Sequence, residues 1–261
     1  MRLEIKNLKF GYNSKPVLKN INMEVSPGKI TAVIGPNAAG KSTLLKCIVR
    51  ILKPEGSILL DGKEINNFEK ESITRIVSYL SQENPARAVL SVFEVVLLGR
   101  IHSLSWKVGD DELEVVWEIL KDMGIHELAS RYLNELSGGQ RQMVSIAQAL
   151  VREPKVLLLD EPTSNLDLQR QLEILYLIRD LTVKRKITTL VTLHHLNLAA
   201  RYADKLVVLN NGEVYASGKP ESVLTSETVR SVYGVNARVN IDDDGIPQIT
   251  PISSVRNMCL A

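Results

Sequence analysis

The chain has only two cysteines in 261 residues, Cys47 and Cys259, far apart and with no metal-ligand spacing around either. Cys47 reads as a small core residue on a helix, which fits a reducing compartment. No apolar run approaches the ~18 residues needed to cross a membrane. The N-terminus begins with a strand-like alternation rather than an export signal. The expectation is a chain that neither spans a membrane nor is exported. Charge of one sign is also missing. Lys+Arg at 32 against Asp+Glu at 30 leaves a net charge of +2, with no basic block, so a nucleic-acid partner is not demanded. What remains is a globular composition, 44% hydrophobic and 24% charged, long enough for one large α/β domain or two small ones.

The most informative stretch is Gly35-Pro36-Asn37-Ala38-Ala39-Gly40-Lys41-Ser42-Thr43, between the apolar run Ile30-Thr31-Ala32-Val33-Ile34 and the helical pattern Leu44-Leu45-Lys46-Cys47-Ile48-Val49. A strand, a glycine-bounded loop ending in Lys-Ser and a helix make a phosphate cradle. The backbone N–H groups and the helix N-terminus face the phosphates, Lys41 reaches the β- and γ-phosphates, and the Ser42 hydroxyl suits Mg²⁺.

Around it, alternating residues 1–25 predict two strands, with Phe10-Gly11-Tyr12 between them. Tyr12 reads locally as edge packing, with stacking on a base as the alternative. Asp61-Gly62 and Asn211-Gly212 mark hairpins. Gln82 follows a short strand, where an amide oxygen could complete a metal shell or merely lie in a loop. Residues 92–151 carry helical periodicity with no strand signal. Within them, Leu136-Ser137-Gly138-Gly139-Gln140 opens a helix with a capping serine and two glycines, a second anion site or simply a capped helix. The run Val156-Leu157-Leu158-Leu159 delivers Asp160 and Glu161 to a sheet edge, one suited to Mg²⁺ and the other to polarising water. A later strand delivers His194 and His195 to the same edge, and the tail after Val235 shows no readable chemistry.

Taken together these segments resemble the nucleotide-binding subunit of ABC transporters. Residues 35–43 are similar to the Walker A loop, Gln82 to the Q-loop glutamine, and Leu136-Ser137-Gly138-Gly139-Gln140 to the signature motif. Residues 156–160 resemble Walker B, Glu161 the catalytic glutamate, residues 164–167 the D-loop, His194 the switch histidine and Tyr12 the adenine-stacking aromatic. The resemblance implies an α/β P-loop NTPase with a RecA-like core, an antiparallel β subdomain and a helical insert. The ATPase domain would cover residues 1–235, with the insert at about 86–153 and a tail at 236–261. It also implies ATP and Mg²⁺, the latter at Ser42, Gln82 and Asp160. Two copies would sandwich ATP, with Ser137, Gly138, Gly139 and Gln140 of one chain on the other's nucleotide.

Residues 91–100 and 193–199 look like importers of iron-siderophore, haem or cobalamin complexes. Such a subunit sits at the cytoplasmic membrane face on separate permease subunits, served indirectly by a solute-binding protein and not by nucleic acid. The cleft for the permease would lie near residues 84–98, with Arg87 and Glu94 as its charges. His195 and Asn165 depart from the family pattern, where Asp and a smaller residue are commoner. The alternative is a soluble ABC ATPase acting on nucleic acid or ribosomes. The single cassette, short insert and near-neutral charge favour the importer.

Overall fold

Three runs, Ile30–Ile34, Val156–Asp160 and Thr188–Thr192, are buried at every residue. Continuous burial of short β-rich runs marks parallel strands covered on both faces, and these three organise the fold. The computed structural model describes residues 1–82, 89–100, 108–164 and 166–255, so Arg87, Asn165 and Cys259 lie outside the described residues.

The chain opens with β1 (Leu3–Tyr12) and β2 (Lys15–Val25), then passes through β3 (Ile30–Ile34) into α1 (Lys41–Ile48). It returns along β4 (Glu55–Leu60) and β5 (Lys63–Glu64), and α2 (Lys70–Ile76) leads into β6 (Val77–Leu80). The helices α3 (Val92–Leu98), α4 (Asp110–Asp122) and α5 (Gly138–Leu150) precede β7 (Val156–Asp160). Next come α6 (Leu168–Lys184), β8 (Thr188–Thr192), α7 (Leu196–Tyr202), β9 (Lys205–Asn210) and β10 (Glu213–Gly218). Two short helices, α8 (Pro220–Val223) and α9 (Ser226–Tyr233), lead to β11 (Val235–Ile241) and β12 (Pro247–Ser254).

The central sheet is 6-stranded in the order β10-β9-β3-β8-β7-β6. Its pairings are parallel except at β10, which returns from β9 through Asn211-Gly212, both at positive φ as a two-residue hairpin turn requires. A second, antiparallel sheet has the order β2-β1-β4-β5. The central sheet divides two cores. Ile30, Ala32 and Ile34 of β3 and Leu157 and Leu159 of β7 face one, with Val92, Val116, Ile146, Ile174 and Ala199 from the helices. Val33, Val156 and Leu158 face the other, with Leu44 and Leu45 of α1 and Leu3, Ile21 and Ile58 of the antiparallel sheet. The period-2 alternation of these strands lets one sheet anchor both layers. Cys47 is buried in the second core, and burial pushes its thiol up to about 12, so it serves as packing rather than as a nucleophile.

The structure departs from the sequence reading in two places. Phe10-Gly11-Tyr12 lies within β1, and the turn is Asn13-Ser14, both at positive φ. The tail, for which no chemistry was legible, folds as the hairpin β11–β12, paired from Val235↔Ser254 to Ile241↔Pro247. Its turn is held by the Asp242 carboxylate, which accepts from the backbone of Asp244 and Ile246. Between β6 and β7, α3 packs against α4 and α5, and the strand-type pairing among the described residues there is confined to an isolated bridge, Ser91↔Tyr132.

The junction of β3 with the loop after it has no room for a side chain. Gly35 sits at φ 149°, and a Cβ there would fall 2.1 Å from the Leu209 carbonyl oxygen. Gly35→Ala is expected to lower the unfolding free energy by about 2–3 kcal/mol in urea titrations. Gly138→Ala, where a Cβ meets nothing within 4 Å, should stay within about 0.5 kcal/mol of the parent. Equal losses at the two positions would contradict the packing described for Gly35.

Candidate nucleotide site

The loop between β3 and α1 is shaped by local backbone conformation. Ala38 adopts φ 62° and Gly40 φ 102°, and a Cβ on Gly40 would meet the Leu18 side chain at 2.7 Å. No side chain caps the start of α1, so its first-turn N–H groups remain available to an anion beside the loop. Lys41 turns back into the loop, donating to the carbonyls of Gly35 at 2.9 Å and Pro36 at 3.1 Å. Burial lowers the pKa of its ammonium, with Glu161 and Asp160 pulling the other way. Ala39 turns inward to the core, whereas Asn37, Ala38, Gly40, Lys41, Ser42 and Thr43 border an open cleft of about 540 Å³.

Opposite the loop stand the carboxylates. Parallel pairing of β6, β7 and β8 brings their C-terminal ends to one edge, and the residues just beyond them arrive together. Asp160, 3% exposed, accepts from Ser42 Oγ at 3.0 Å and Thr192 Oγ1 at 2.8 Å through one oxygen. Its other oxygen is approached by the Tyr79 hydroxyl at 3.4 Å. Burial, and then the Asp160 charge, push the Tyr79 phenol well above its ordinary range, so it stays a donor. Glu161 leaves the strand at φ 51°, and its N–H donates to Thr192 Oγ1 at 2.9 Å. Its carboxylate is held from both sides, by Gln82 Nε2 at 2.9 Å and by His194 Nε2.

Tyr12 closes another side of the cleft, 46% exposed and set edge-on against Phe10 with ring centroids 4.9 Å apart. The cleft thus brings together Asn37, Ala38, Gly40, Lys41, Ser42 and Thr43 of the loop with Gln82, Glu161, His194 and Tyr12, and Asp160 is bonded to its Ser42; Gly35, Pro36 and Ala39 do not border it. It does not include Ser137, Gly138, Gly139 and Gln140. Ser137 caps α5, its hydroxyl accepting from Gln140 N at 3.3 Å while Gln140 Oε1 accepts from Ser137 N at 3.0 Å. Gly139 and Gln140 border a separate groove of about 470 Å³ with Met143, Arg170 and Tyr176.

Thr192 and Tyr79 were not singled out from sequence. Both lie inside strands, and their roles depend on which strand neighbours β7, an order the sequence pattern leaves open. The oxygen donors around Asp160, the Ser42 hydroxyl and the Gln82 amide are hard ligands that fit Mg²⁺ rather than a soft metal.

Known proteins share this fold along most of the chain. The family model described as ABC transporter matches residues 18–164. An uncharacterized ABC transporter ATP-binding protein of Methanocaldococcus jannaschii is 44% identical over 253 residues, 97% of this chain and 98% of that protein. The petrobactin import ATP-binding protein FpuD of Bacillus anthracis is 38% identical, across 92% of this chain and 89% of its own. The ferric enterobactin transport ATP-binding protein FepC of Escherichia coli is 36% identical, across 96% and 94%. Among solved structures, a chain of an inward-facing ABC transporter of proposed metal-chelate type superposes with TM-score 0.83 at 30% identity, covering 96% of this chain and 97% of that one. A dimeric bacterial ABC transporter cassette gives TM-score 0.72 at 28% identity, across 84% and 98%. With a family model over more than half of its length and relatives of this identity along nearly all of it, the chain belongs to the ABC transporter family, among its ATP-binding proteins.

Proposed function

We propose that this ATPase energises uptake of an iron complex or haem, working as a pair of copies on separate permease subunits at the cytoplasmic membrane face. The observation that carries the hydrolytic part is the Glu161 carboxylate, held between Gln82 and His194 at the rim of the phosphate-loop cleft. The solute class rests on relatives named for petrobactin, ferric enterobactin and hemin import. No helix among the described residues is long and apolar enough to cross a membrane. A near-neutral net charge of +2 weighs against the soluble nucleic-acid reading.

In this reading the adenine rests on Tyr12 and the phosphates occupy the loop, drawing the Lys41 ammonium away from the Gly35 and Pro36 carbonyls. Mg²⁺ held by Ser42, Asp160 and Gln82 would neutralise charge on the β- and γ-phosphate oxygens. Glu161 orients and polarises the attacking water, and His194 keeps that carboxylate aimed while sensing the γ-phosphate. Thr192 fixes both acids with one hydroxyl. The α5 start of a second copy supplies the missing face of the site, and separation of the copies after hydrolysis moves the permease.

The docking surface for that permease falls near α3 and α4, where Val89, Leu98, Val108 and Trp117 are exposed. Of the two charges expected there, Arg87 lies outside the described residues. Glu94 proves to be a capping residue: its carboxylate accepts from Ser91 N and from Ser91 Oγ, each at 2.7 Å, and these two bonds hold it below the usual range, while Ser91 Oγ accepts from the Glu94 N–H. Charge reversal at Glu94 would therefore disturb α3 as well as any docking; Trp117→Ala leaves the Ser91–Glu94 cap in place and removes the ring contact with Phe93, so it probes that surface separately.

Tyr12→Ala should weaken ATP binding by about 1–3 kcal/mol in calorimetry, with Tyr12→Phe nearly neutral. Unchanged affinity in the alanine variant would confine Tyr12 to packing on Phe10. Thr192→Val should lower kcat about tenfold or more at near-parent ATP affinity, since Asp160 loses a donor and the Glu161 N–H an acceptor. Parent-like turnover would remove Thr192 from the machinery. Glu161→Gln should form an ATP-dependent dimer by light scattering, supported by ATP and not by ADP, and a further Ser137→Arg change should abolish it. A monomer at saturating ATP, with or without Mg²⁺, would overturn the two-copy site.

A further inference from the structure

The hairpin β11–β12 is fastened to α7, the helix that begins directly after His194 and His195. Asn197 and Ile249 exchange two hydrogen bonds. Ile249 N donates to Asn197 Oδ1 at 2.8 Å, and Asn197 Nδ2 donates to the Ile249 carbonyl at 3.2 Å. One turn further along the same face, Arg201 donates to Asp244 at 3.1 Å, with Asp242 at 3.8 Å from the same guanidinium. Asp242 is itself the residue that shapes the hairpin turn. The far end of α7, where Arg201 sits, is tied to α6 as well, through Arg179 Nη1 on the Arg201 carbonyl at 3.0 Å.

The near end, beside His194, begins at His195, whose side chain makes no capping bond. A short helix without a cap frays at that end unless tertiary contacts hold it. Asn197 is three residues from His194, and its paired bonds give the start of α7 a fixed partner. His194 itself is an exposed side chain whose ring reaches Glu161; the backbone before it is held by Leu193 N on the Val33 carbonyl at 3.2 Å, so its reach depends further on where the backbone after it, at the start of α7, is held.

We propose that the C-terminal hairpin positions the catalytic histidine, with Asn197 as the positioning residue that transmits the hairpin's hold on α7 to the His194–Glu161 contact. The inference rests on the hydrolytic role given above to Glu161 and His194. It assigns work to a segment in which the sequence pattern shows none. The hairpin does not touch nucleotide in this account. Its effect falls on the chemical step and spares ATP binding.

The test compares ATP turnover of the full chain carrying Asn197→Ala, Asn197→Asp or Arg201→Ala with that of the parent. Asn197→Ala should lower kcat about tenfold, because a displacement of order 1 Å at a catalytic group costs that much or more, while KM for ATP stays within about twofold. Asn197→Asp keeps the acceptor for Ile249 N and loses the donor, so its kcat should fall between the two. Arg201→Ala, on the exposed rim of the contact, should lose about two- to threefold. In the Asn197→Ala protein the His194 ring nitrogen resonance should lose the signature of its bond to Glu161. A merely structural role would lower the melting temperature and leave both kcat and that resonance at parent values, and this result overturns the proposal. Should Asn197→Ala fail to fold, parent-like kcat in both Asn197→Asp and Arg201→Ala overturns it equally. A parent protein that does not hydrolyse ATP would instead overturn the functional reading on which the inference rests.

Discussion

Parallel pairing of β7 between β6 and β8 is the constraint on which the site depends. A parallel sheet delivers all its C-terminal ends to one edge, so chemistry from residues far apart in sequence meets without any long loop. Gln82 follows β6, Asp160 and Glu161 end β7, and Thr192 ends β8 two residues before His194. The Thr192 hydroxyl stitches the edge together by donating to Asp160 and accepting from the Glu161 N–H. Thr192 and Asp160 are buried, and there each unmade bond would cost about 1–3 kcal/mol, so one hydroxyl that satisfies two groups is worth more than its size suggests. It also supports the left-handed backbone at Glu161, a conformation that costs a non-glycine residue energy and needs surrounding contacts to persist.

The other wall of the cleft works by the opposite means. Where β6 to β8 fix side chains, the loop after β3 fixes backbone, with Gly35 pressed on Leu209 and Gly40 on Leu18. At Gly35 a Cβ would meet fixed backbone, and at Gly40 the left-handed φ of 102° disfavours any side chain. The Lys41 ammonium bridges the two walls electrostatically. Burial disfavours its charge, the two acids across the cleft favour it, and two loop carbonyls hold it meanwhile. A phosphate group entering the loop offers stronger, charge-assisted partners than those carbonyls, which is why a desolvated lysine is useful there.

Legibility followed the range of the interactions. The loop, the capped helix after Ser137 and the two Xaa-Gly hairpins are local, and their residue types state their geometry. The burial of β3 and β7 was equally plain, because an unbroken apolar run leaves few alternatives. Thr192 and Tyr79 escaped because a threonine or tyrosine inside a β-rich run looks like ordinary strand composition, and only the strand order turns it towards Asp160. Glu94 was readable as a charge but not as a cap, although Ser91 three residues earlier carried that signal. The turn after Tyr12 was misplaced by one dipeptide because Gly11 is the stronger turn former by composition. Here it lies in a strand, where a Cβ would meet the Lys15 carbonyl oxygen at 2.5 Å. The C-terminal hairpin has strands interrupted by polar residues, and what orders it is its contact with α7 and α9, which no local pattern reports.

The separation of Ser137, Gly138, Gly139 and Gln140 from the cleft bears on how such a site could do work. The Ser137 hydroxyl acts as acceptor towards Gln140 N, which leaves its O–H to donate outwards, and a Cβ on Gly138 would meet nothing within 4 Å. Donors at the positive end of α5 are thus presented away from their own chain's cleft. A site complete within one chain would bind and hydrolyse ATP without moving anything. In the proposed pair, by contrast, the γ-phosphate is gripped by two molecules at once, so the free energy of that grip becomes available for drawing the copies together. Hydrolysis removes the group that both were holding. Cleavage alone then suffices to release the copies, and the timing of release is set where Glu161 and His194 meet.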